Sequence, residues 1–448
     1  MVEGGLGAVM NALARVAAFH RQMDARVWLL TYGQGLLSTG RGIIMPFATL
    51  YFYDVRHFPL TLVGLALAIA FPLGALVGIF WGGVADRIGR KPLMLLGFLG
   101  QAMCAVAYAF VVTVPAYFEV TILYAIAVSA WGPSARAMVA DVTPEDRRGR
   151  AYGLLYLANN LGLSVGLLVG AILVAFLPYR SLFFAEAAGA AAYLVVVALA
   201  VEESHARAPG AKEEGGLARL RHHVRDLSTP LRDRRFLAVL LVATLGGIGW
   251  SQFYSTYAPF MKDVLSATAM GIGVVVAINT VMVVALQVPL SAWADRRSRT
   301  RVLLLGNALL AASLLLNWAA VGRPPLLAYG IVAAGVVVMT VGEIVNAGMG
   351  PSLAAGMAGG PTSYGKYLAA MDLTWSVSSG VGAVIGGVFF DAHATAWLWP
   401  TVAAVVLLSL AGWWWLGRVL PVAIDHPARV TGPEGPGEEL ATERAAPR

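Results

Sequence analysis

The sequence predicts an all-α membrane protein in which twelve transmembrane helices form two pseudo-symmetric six-helix bundles. Three observations support this. The 448 residues are 58% apolar and only 13% charged, whereas soluble domains carry about 25% charged residues. Apolar runs of roughly 20 residues, long enough to cross a bilayer as a helix, recur along the chain. Features of the first half also recur in the second.

The apolar runs define twelve candidate spans, separated in the middle by one long polar segment. We expect spans at 27–53, 60–83, 92–113, 116–139, 151–177, 180–201, 236–261, 269–293, 301–320, 325–346, 366–390 and 396–418. The resulting domains are a cytoplasmic N-terminal segment 1–26, a first bundle 27–201, a cytoplasmic linker 202–235, a second bundle 236–420 and a disordered cytoplasmic tail 421–448.

The distribution of basic residues predicts the orientation in the membrane. Of the 32 Lys and Arg residues, the outer connections hold only Arg56, Arg180, Lys262 and Arg323. Because basic residues are retained on the cytoplasmic side, both termini are predicted to be cytoplasmic. The net charge of +7 is then a sign of topology, so we expect a lipid bilayer and no nucleic acid as partner.

A charged loop occurs twice at matching places in the two halves. "WGGVADRIGRK" at 81–91 is echoed by "SAWADRRSRT" at 291–300, so that Asp86 corresponds to Asp295. Gly166 and Gly170 are echoed in the same way by a pair of glycines in the second half. Two six-span halves joined by a linker explain this duplication.

The first loop resembles a motif of the major facilitator superfamily, and the resemblance extends over nearly the whole chain. The pattern G-x-x-x-D-R-x-G-R-K is met by Gly82, Asp86, Arg87, Gly89, Arg90 and Lys91. Within that superfamily, "GRGIIMPFATLYF" in span one, Gly342–Glu343 in span ten and "YGKY" before span eleven resemble the twelve-span drug:proton antiporter branch.

The resemblance implies a conformational latch on the inner side. Asp86 is expected to face the N-terminus of span eleven, where the helix dipole favours an anion, and Arg90 to pair with Asp141. These contacts would form when the halves close on the inside and break when they open. The latch set is Gly82, Asp86, Arg87, Gly89, Arg90, Lys91, Arg136 and Asp141, with Asp295 and Arg296 from the degenerate second copy.

Polar and charged residues within the spans are candidates for a substrate cavity or for proton coupling. A charge inside a membrane is costly and normally faces a cavity or a partner. A carboxyl group removed from water can hold or release a proton in the physiological range. The candidates are Gln34, Arg41, Asn159, Asn160, Glu186, Gln252, Asn279, Glu343, Asp372 and Trp375.

Each of these candidates also has a structural interpretation. Arg41 can form an ion pair that locks helices together, and Glu186 can pair with Arg180 at the outer rim. Glu343 can pair with a base or a helix N-terminus at the inner gate. Amide side chains in lipid commonly join helices instead of binding ligands.

Two positions depart from the antiporter branch. The branch has a proline after the middle glycine of span five, where this chain has Leu167. It also has an arginine in the middle of span four, a region occupied here by Tyr124 and Ser129. Coupling is therefore expected to reside at Arg41, Asp372 or Glu343, or the carrier uses another mechanism.

Several classes of chemistry are not expected. The sequence contains no phosphate-binding G-x-x-x-x-G-K-[ST] pattern, no G-x-S-x-G elbow and no paired-histidine metal spacing. We therefore predict no enzyme activity, no metal and no cofactor. The single cysteine, Cys104, excludes an intrachain disulfide.

These features together predict a monomeric secondary carrier of a bacterial inner membrane that works by alternating access. The leading hypothesis is export of amphipathic organic compounds, of the multidrug efflux type, driven by the proton gradient. One alternative is uptake or facilitated diffusion of a small metabolite, such as a sugar or an organic anion whose carboxylate binds Arg41. Another is a membrane receptor or assembly factor that has kept the fold but lost transport.

Overall fold

The computed structural model describes residues 23–204, 230–358 and 360–426, and in these ranges twelve long helices form. The residues before 23, most of the predicted linker and the tail after 426 lie outside the described residues. The long helices are Ala25–Leu50 (α1), Leu60–Ile88 (α2), Arg90–Phe110 (α3), Val114–Val142 (α4), Glu145–Phe176 (α5), Arg180–Ala200 (α6), Arg234–Ser255 (α7), Ala269–Ala294 (α8), Arg299–Ala320 (α9), Pro325–Asn346 (α10), Pro361–Asp391 (α11) and Thr395–Val419 (α12).

Spans one and seven are not continuous α-helices near their outer ends. After α1 the chain continues as a π-helical turn, Tyr51–Val55. Helix α7 ends at Ser255 and a separate short helix follows at Tyr257–Asp263. The break is explained by Pro259, because a proline has no N–H to donate to the carbonyl of the residue four positions earlier. Two further short helices are Met349–Met357 and Val422–Asp425.

Eleven helices of the described chain are long and apolar enough to cross a membrane. Helix α1 is the one long helix outside that set. Its 26 residues suffice in length, but Gln34, Ser38 and Arg41 make it more polar. The protein is therefore a multi-pass membrane protein whose α1 carries a polar face.

Glycines allow the first and fifth helices of each half to pack closely. In the first half, a Cβ placed on Gly166 of α5 would lie 2.1 Å from the carbonyl oxygen of Thr39 in α1. In the second half, a Cβ on Gly386 of α11 would lie 1.9 Å from Cγ2 of Thr256, directly after α7. The repeated glycines of the sequence thus occupy equivalent helix interfaces.

The two halves, α1–α6 and α7–α12, are joined most extensively at one end of the molecule. We call inner the end that carries the loop Arg87–Lys91, following the predicted orientation, and outer the opposite end. One apolar cluster at the outer end combines residues of both halves, including Phe47 and Phe260. At the inner end each half has its own cluster, around Met138 and Trp413 respectively. The described conformation is therefore closed at the outer side.

Candidate functional site

The first charged loop is a tight turn between α2 and α3 that depends on Gly89. This residue has φ +101°, and a Cβ there would lie 2.4 Å from Oε2 of Glu203. The Glu203 carboxylate accepts hydrogen bonds from the backbone N–H groups of Arg90 (3.1 Å) and Lys91 (2.9 Å). An acid here satisfies the free N–H groups at the start of α3 and complements its dipole. Sequence reasoning missed Glu203, because it lies more than 100 residues away.

The predicted contact between Arg90 and Asp141 is present, with Nε and Oδ2 3.7 Å apart. Ser204 also donates to Asp141 (2.9 Å), and Lys91 Nζ donates to the carbonyl of Ala198 (2.8 Å). All of these residues belong to the first half or, in the case of Ser204, to the segment directly after it. The Arg90–Asp141 pair therefore cannot by itself join the two halves, and it is formed here while the outer side is closed. That this pair forms and breaks with closure of the inner side stays a prediction.

The remaining predicted latch residues are placed differently. Arg87 is exposed, and the burial of Gly82 and of the Asp86 side chain is not described. Arg136 does not join the loop: it is exposed and lies within electrostatic range of Arg41 and Asp372. It lies instead in the region that we call the gap between the halves, where Arg136 and Tyr156 of the first half face Asp372 of the second.

The second loop is organised by a residue that sequence reasoning placed in the tail. Asp425 accepts hydrogen bonds from the backbone N–H of Thr300 (2.8 Å) and from the Ser298 hydroxyl. It caps α9 as Glu203 caps α3. Asp295 and Arg296 are exposed at the surface beyond α8. The duplication thus preserves the capped turn, although glycines are replaced.

In the first half, polar side chains of α1 and α5 converge on one amide oxygen. Oδ1 of Asn159 accepts from Gln34 Nε2 (3.1 Å), Ser38 Oγ (2.8 Å) and Arg41 Nη2 (2.8 Å). Asn160 accepts weakly from Asn159 (3.4 Å). The guanidinium of Arg41 also lies 6.0 Å from the ring centroid of Trp131. Gln34, Ser38 and Arg41 therefore form a polar stripe on α1 that faces α5.

Glu186 lies beside this cluster with no exposed surface. Its Oε1 accepts hydrogen bonds from the Tyr124 hydroxyl and from Gln101 Nε2 (3.3 Å). The alternative pairing with Arg180 is not formed. Tyr124 occupies the region where the antiporter branch has its arginine, and its hydroxyl donates to Glu186.

In the second half, Glu343 of α10 is held by two neighbouring helices. Asn279 Nδ2 donates to its Oε2 (2.8 Å), and the Tyr254 hydroxyl contacts Oε1 (3.5 Å). The Tyr254 ring meets Trp375 edge-on, with centroids 6.1 Å apart. Trp375 is 43% exposed. Here an acid and two aromatic rings lie together.

Asp372 of α11 is exposed one turn before Trp375 and lies within electrostatic range of Arg136 in the first half. Tyr156 of α5 also lies within range of Asp372 and Glu343, and its hydroxyl donates to the carbonyl of Ala347 (2.8 Å). These contacts place Asp372 at the gap between the halves. The structure thus brings three of the predicted candidates into one region: Asp372, Glu343 and Trp375.

Gln252 is a packing residue and not a cavity residue. It is 1% exposed. Its Nε2 donates to the carbonyl oxygens of Ile248 (3.1 Å) and Gly382 (3.0 Å), and its Oε1 accepts from Thr256 (2.8 Å). Its side chain joins α7 to α11 and packs against Gly382 and Gly386 of α11. Gln252 therefore joins helices, which is the structural role considered above for amide side chains.

The outer closure contains polar contacts between halves that sequence reasoning missed. Tyr53 donates to Asp263 (2.7 Å), and Lys262 pairs with Asp54. Asp391, at the end of α11, accepts from the first two backbone N–H groups of α2, at 2.9 Å each. Its contact joins the C-terminal end of one helix to the N-terminal end of another.

Among the described residues, no three His, Cys, Asp or Glu side chains are grouped so that they could hold a metal ion. Glu186 and Glu343 instead have hydroxyl and amide neighbours, and Asp372 lies within electrostatic range of Arg136.

The sequence model of the Major Facilitator Superfamily matches residues 30–266 and 239–443. The MFS-type transporter YqjV of Bacillus subtilis is 24% identical over 390 residues, 86% of this chain and 91% of its own. The multidrug resistance protein MdtH of Yersinia enterocolitica is 26% identical over 396 residues, 85% of this chain and 91% of its own. MdtH of Edwardsiella ictaluri is 25% identical over 404 residues, with coverages of 88% and 94%.

Solved structures show the same fold. A POT family transporter in complex with 5-aminolevulinic acid aligns with a TM-score of 0.66 at 16% identity, covering 87% of this chain and 96% of its own. The nucleoside transporter NupG aligns with a TM-score of 0.65 at 12% identity, with coverages of 87% and 99%. These relatives are transporters, so the prediction of a carrier and not an enzyme is confirmed. The chain belongs to the Major Facilitator Superfamily and is a membrane transporter.

Proposed function

We propose that the protein is a secondary active transporter that exports amphipathic organic compounds in exchange for protons. The observation that carries this proposal is the group formed by Asp372, Glu343, Tyr254 and Trp375 at the gap between the halves. Aromatic faces attract organic cations, and carboxylates supply the opposite charge. The relatives named multidrug resistance protein add support from the family.

The closed outer side supports a transport cycle in which the substrate is loaded from the inner side. A compound enters the gap from the inner side and binds between the halves, as expected for substrate sites near the membrane midplane. Rocking of the halves then opens the outer side, and a proton returns inward on a buried acid. We place the protein in the inner membrane of a bacterium, with both termini in the cytoplasm. One chain supplies both halves, so a monomer is sufficient.

The test is proton flux in liposomes that contain the purified protein and a pH-sensitive dye. A pH gradient is imposed, and lipophilic cations, sugars and organic acids are added one at a time. We expect lipophilic cations to collapse the gradient and Asp372→Asn or Glu343→Gln to abolish this effect. Glu119→Gln is the matched control, because Glu119 is an exposed acid near the outer end of α4.

A second candidate function is movement of a small organic anion without proton coupling. It is favoured by Arg41, which forms no ion pair with a carboxylate among the described residues. If no compound moves protons but an organic acid equilibrates across the membrane, this function replaces the first. Arg41→Gln should then abolish binding of the anion and leave binding of a cation in place.

A further inference from the structure

Glu186 is a fully buried carboxyl group that is bonded through only one of its oxygens. Oε1 accepts from Tyr124 and Gln101. Oε2 is buried and has no hydrogen-bond partner among the described residues. An ionised carboxylate with an unpaired oxygen is far more costly to bury than a neutral carboxyl group. This environment therefore favours a protonated Glu186 in the described conformation.

The acid in the second half provides a contrast within the same molecule. Both oxygens of Glu343 have partners, Oε1 with Tyr254 and Oε2 with Asn279. Hydrogen bonds from neutral donors to both oxygens stabilise a carboxylate. Of these two acids, Glu186 is thus the one with an oxygen that lacks a hydrogen-bond partner in the described part of the chain.

Arg41, on the adjacent helix α1, has a buried N–H group that lacks an acceptor among the described residues. Its Nη2 donates to Ser38 and Asn159, but its Nε is buried and has no partner in the described part of the chain. The preceding residue, Gly40, lies directly against Glu186: a Cβ there would be 3.1 Å from Glu186 Cγ. A donor without an acceptor and an acceptor without a donor therefore lie on contacting segments of α1 and α6.

The other ionisable groups around Glu186 leave Arg41 as its only counter-charge among the described residues. Facing Glu186 are Arg41 from α1, Cys104 and Tyr108 from α3, and Tyr124 from α4. The thiol and the phenols are neutral in their ordinary state near neutral pH. Arg136 of α4 lies within range of Arg41 and repels it. Either a proton or Arg41 must therefore neutralise Glu186.

We propose that Glu186 is a proton-binding site of the carrier and that Arg41 is its switching partner. In the described conformation Oε2 carries the proton. When that O–H bond breaks, the proton passes to water in the inner gap, the electron pair stays on the carboxylate, and Arg41 turns from Ser38 and Asn159 to Oε2. The link between this proton site and transport rests on the proposed function, whereas proton binding by Glu186 does not.

The switch would connect the proton to the helix interface that lines the gap. Asn159 holds the polar side chains of α1 through a single oxygen, and Arg41 supplies one of its three donors. Removing that donor loosens the polar contact between α1 and α5 while strengthening the one between α1 and α6. A change of one proton is thereby converted into a change of helix contacts, which a coupled carrier requires.

The test is infrared spectroscopy of the purified protein without substrate, comparing acidic and alkaline samples. A protonated carboxyl group gives a carbonyl band separate from that of a carboxylate. We expect a band in the wild type that is lost on alkalinisation and is absent from Glu186→Gln. Glu343→Gln should retain this band. The proposal is overturned if Glu343→Gln removes the band while Glu186→Gln keeps it, or if neither substitution changes it.

Arg41→Gln tests the switching partner and does not depend on the folding of the Glu186 variant. Without the arginine no cation can replace the proton, so the band should persist at the alkaline pH at which the wild type has lost it. Loss of the band at the same pH as in the wild type would refute the role of Arg41. The liposome assay distinguishes the two proposals: a band assigned to Glu186 without proton-coupled flux in the wild type would refute coupling and leave the proton site standing.

Discussion

Replacing Asp391 by asparagine should shift the carrier toward an outward-open state. The Asp391 carboxylate accepts two N–H bonds, 2.9 Å each, at the N-terminus of α2 from the opposite half. An anion at a helix N-terminus contributes about 0.3–1 kcal/mol when exposed, and an added hydrogen bond about 1 kcal/mol. Because Asp391 is exposed and asparagine retains one acceptor, we expect a net loss of about 1 kcal/mol, which is roughly a fivefold change in the conformational equilibrium.

Cysteine accessibility measures this shift. Ala171 is buried in the outer contact between the halves. A Cβ placed on Gly273 of the second half would lie 2.8 Å from the Cβ of Ala171. In a Cys104→Ser background, Ala171→Cys should react roughly fivefold faster with a membrane-impermeant thiol reagent when Asp391 is asparagine. Glu119→Gln is the control, because it removes an exposed acid from the same side. An unchanged or slower reaction would contradict the assignment of Asp391 to outer closure.

Three further changes test the packing described above, each measured as thermal unfolding in detergent. Gly166→Ala should lower stability by about 1–3 kcal/mol, because overpacking forces α1 and α5 apart. Gly153→Ala, whose Cβ would meet nothing within 4 Å, should not. Glu203→Ala should cost about 1 kcal/mol through loss of the α3 cap, and an unchanged unfolding temperature would exclude that role. Gln252→Leu should lower stability by roughly 1–3 kcal/mol, because it removes the buried hydrogen bonds to Gly382 and Thr256, while leaving substrate affinity in place. A loss of substrate affinity without a loss of stability would show that Gln252 contributes to substrate binding instead.

The polar residues of α1 show how far sequence reasoning reaches toward the site. Gln34, Ser38 and Arg41 share a face because of helical periodicity alone, and the structure keeps them on one face. Their common acceptor, Asn159, was also a candidate, but only the packing of α5 against α1 makes it the centre of the cluster. Helical periodicity does not distinguish these cluster residues from Gln252, which packs between helices.

Acids that cap helices distant in the sequence could not be predicted from the sequence. Glu203, Asp391 and Asp425 each cap a helix that begins more than 100 residues earlier. No local pattern marks such an acid, because a cap between distant segments depends on where the helix ends meet in space. The second loop was judged degenerate from its missing glycines, yet its acid cap is retained in the fold.

The sequence by itself determined the membrane class, the approximate spans, the duplication and the set of polar residues within the apolar helices. These properties depend on length, hydropathy and charge along one dimension, which the bilayer turns directly into helices and topology. The tertiary structure decided which partner each buried group has: Tyr124 for Glu186, Asn159 for Arg41, and the start of α2 for Asp391. These pairings depend on the rotation and crossing of helices that pack through small residues, and on which side of the molecule is closed.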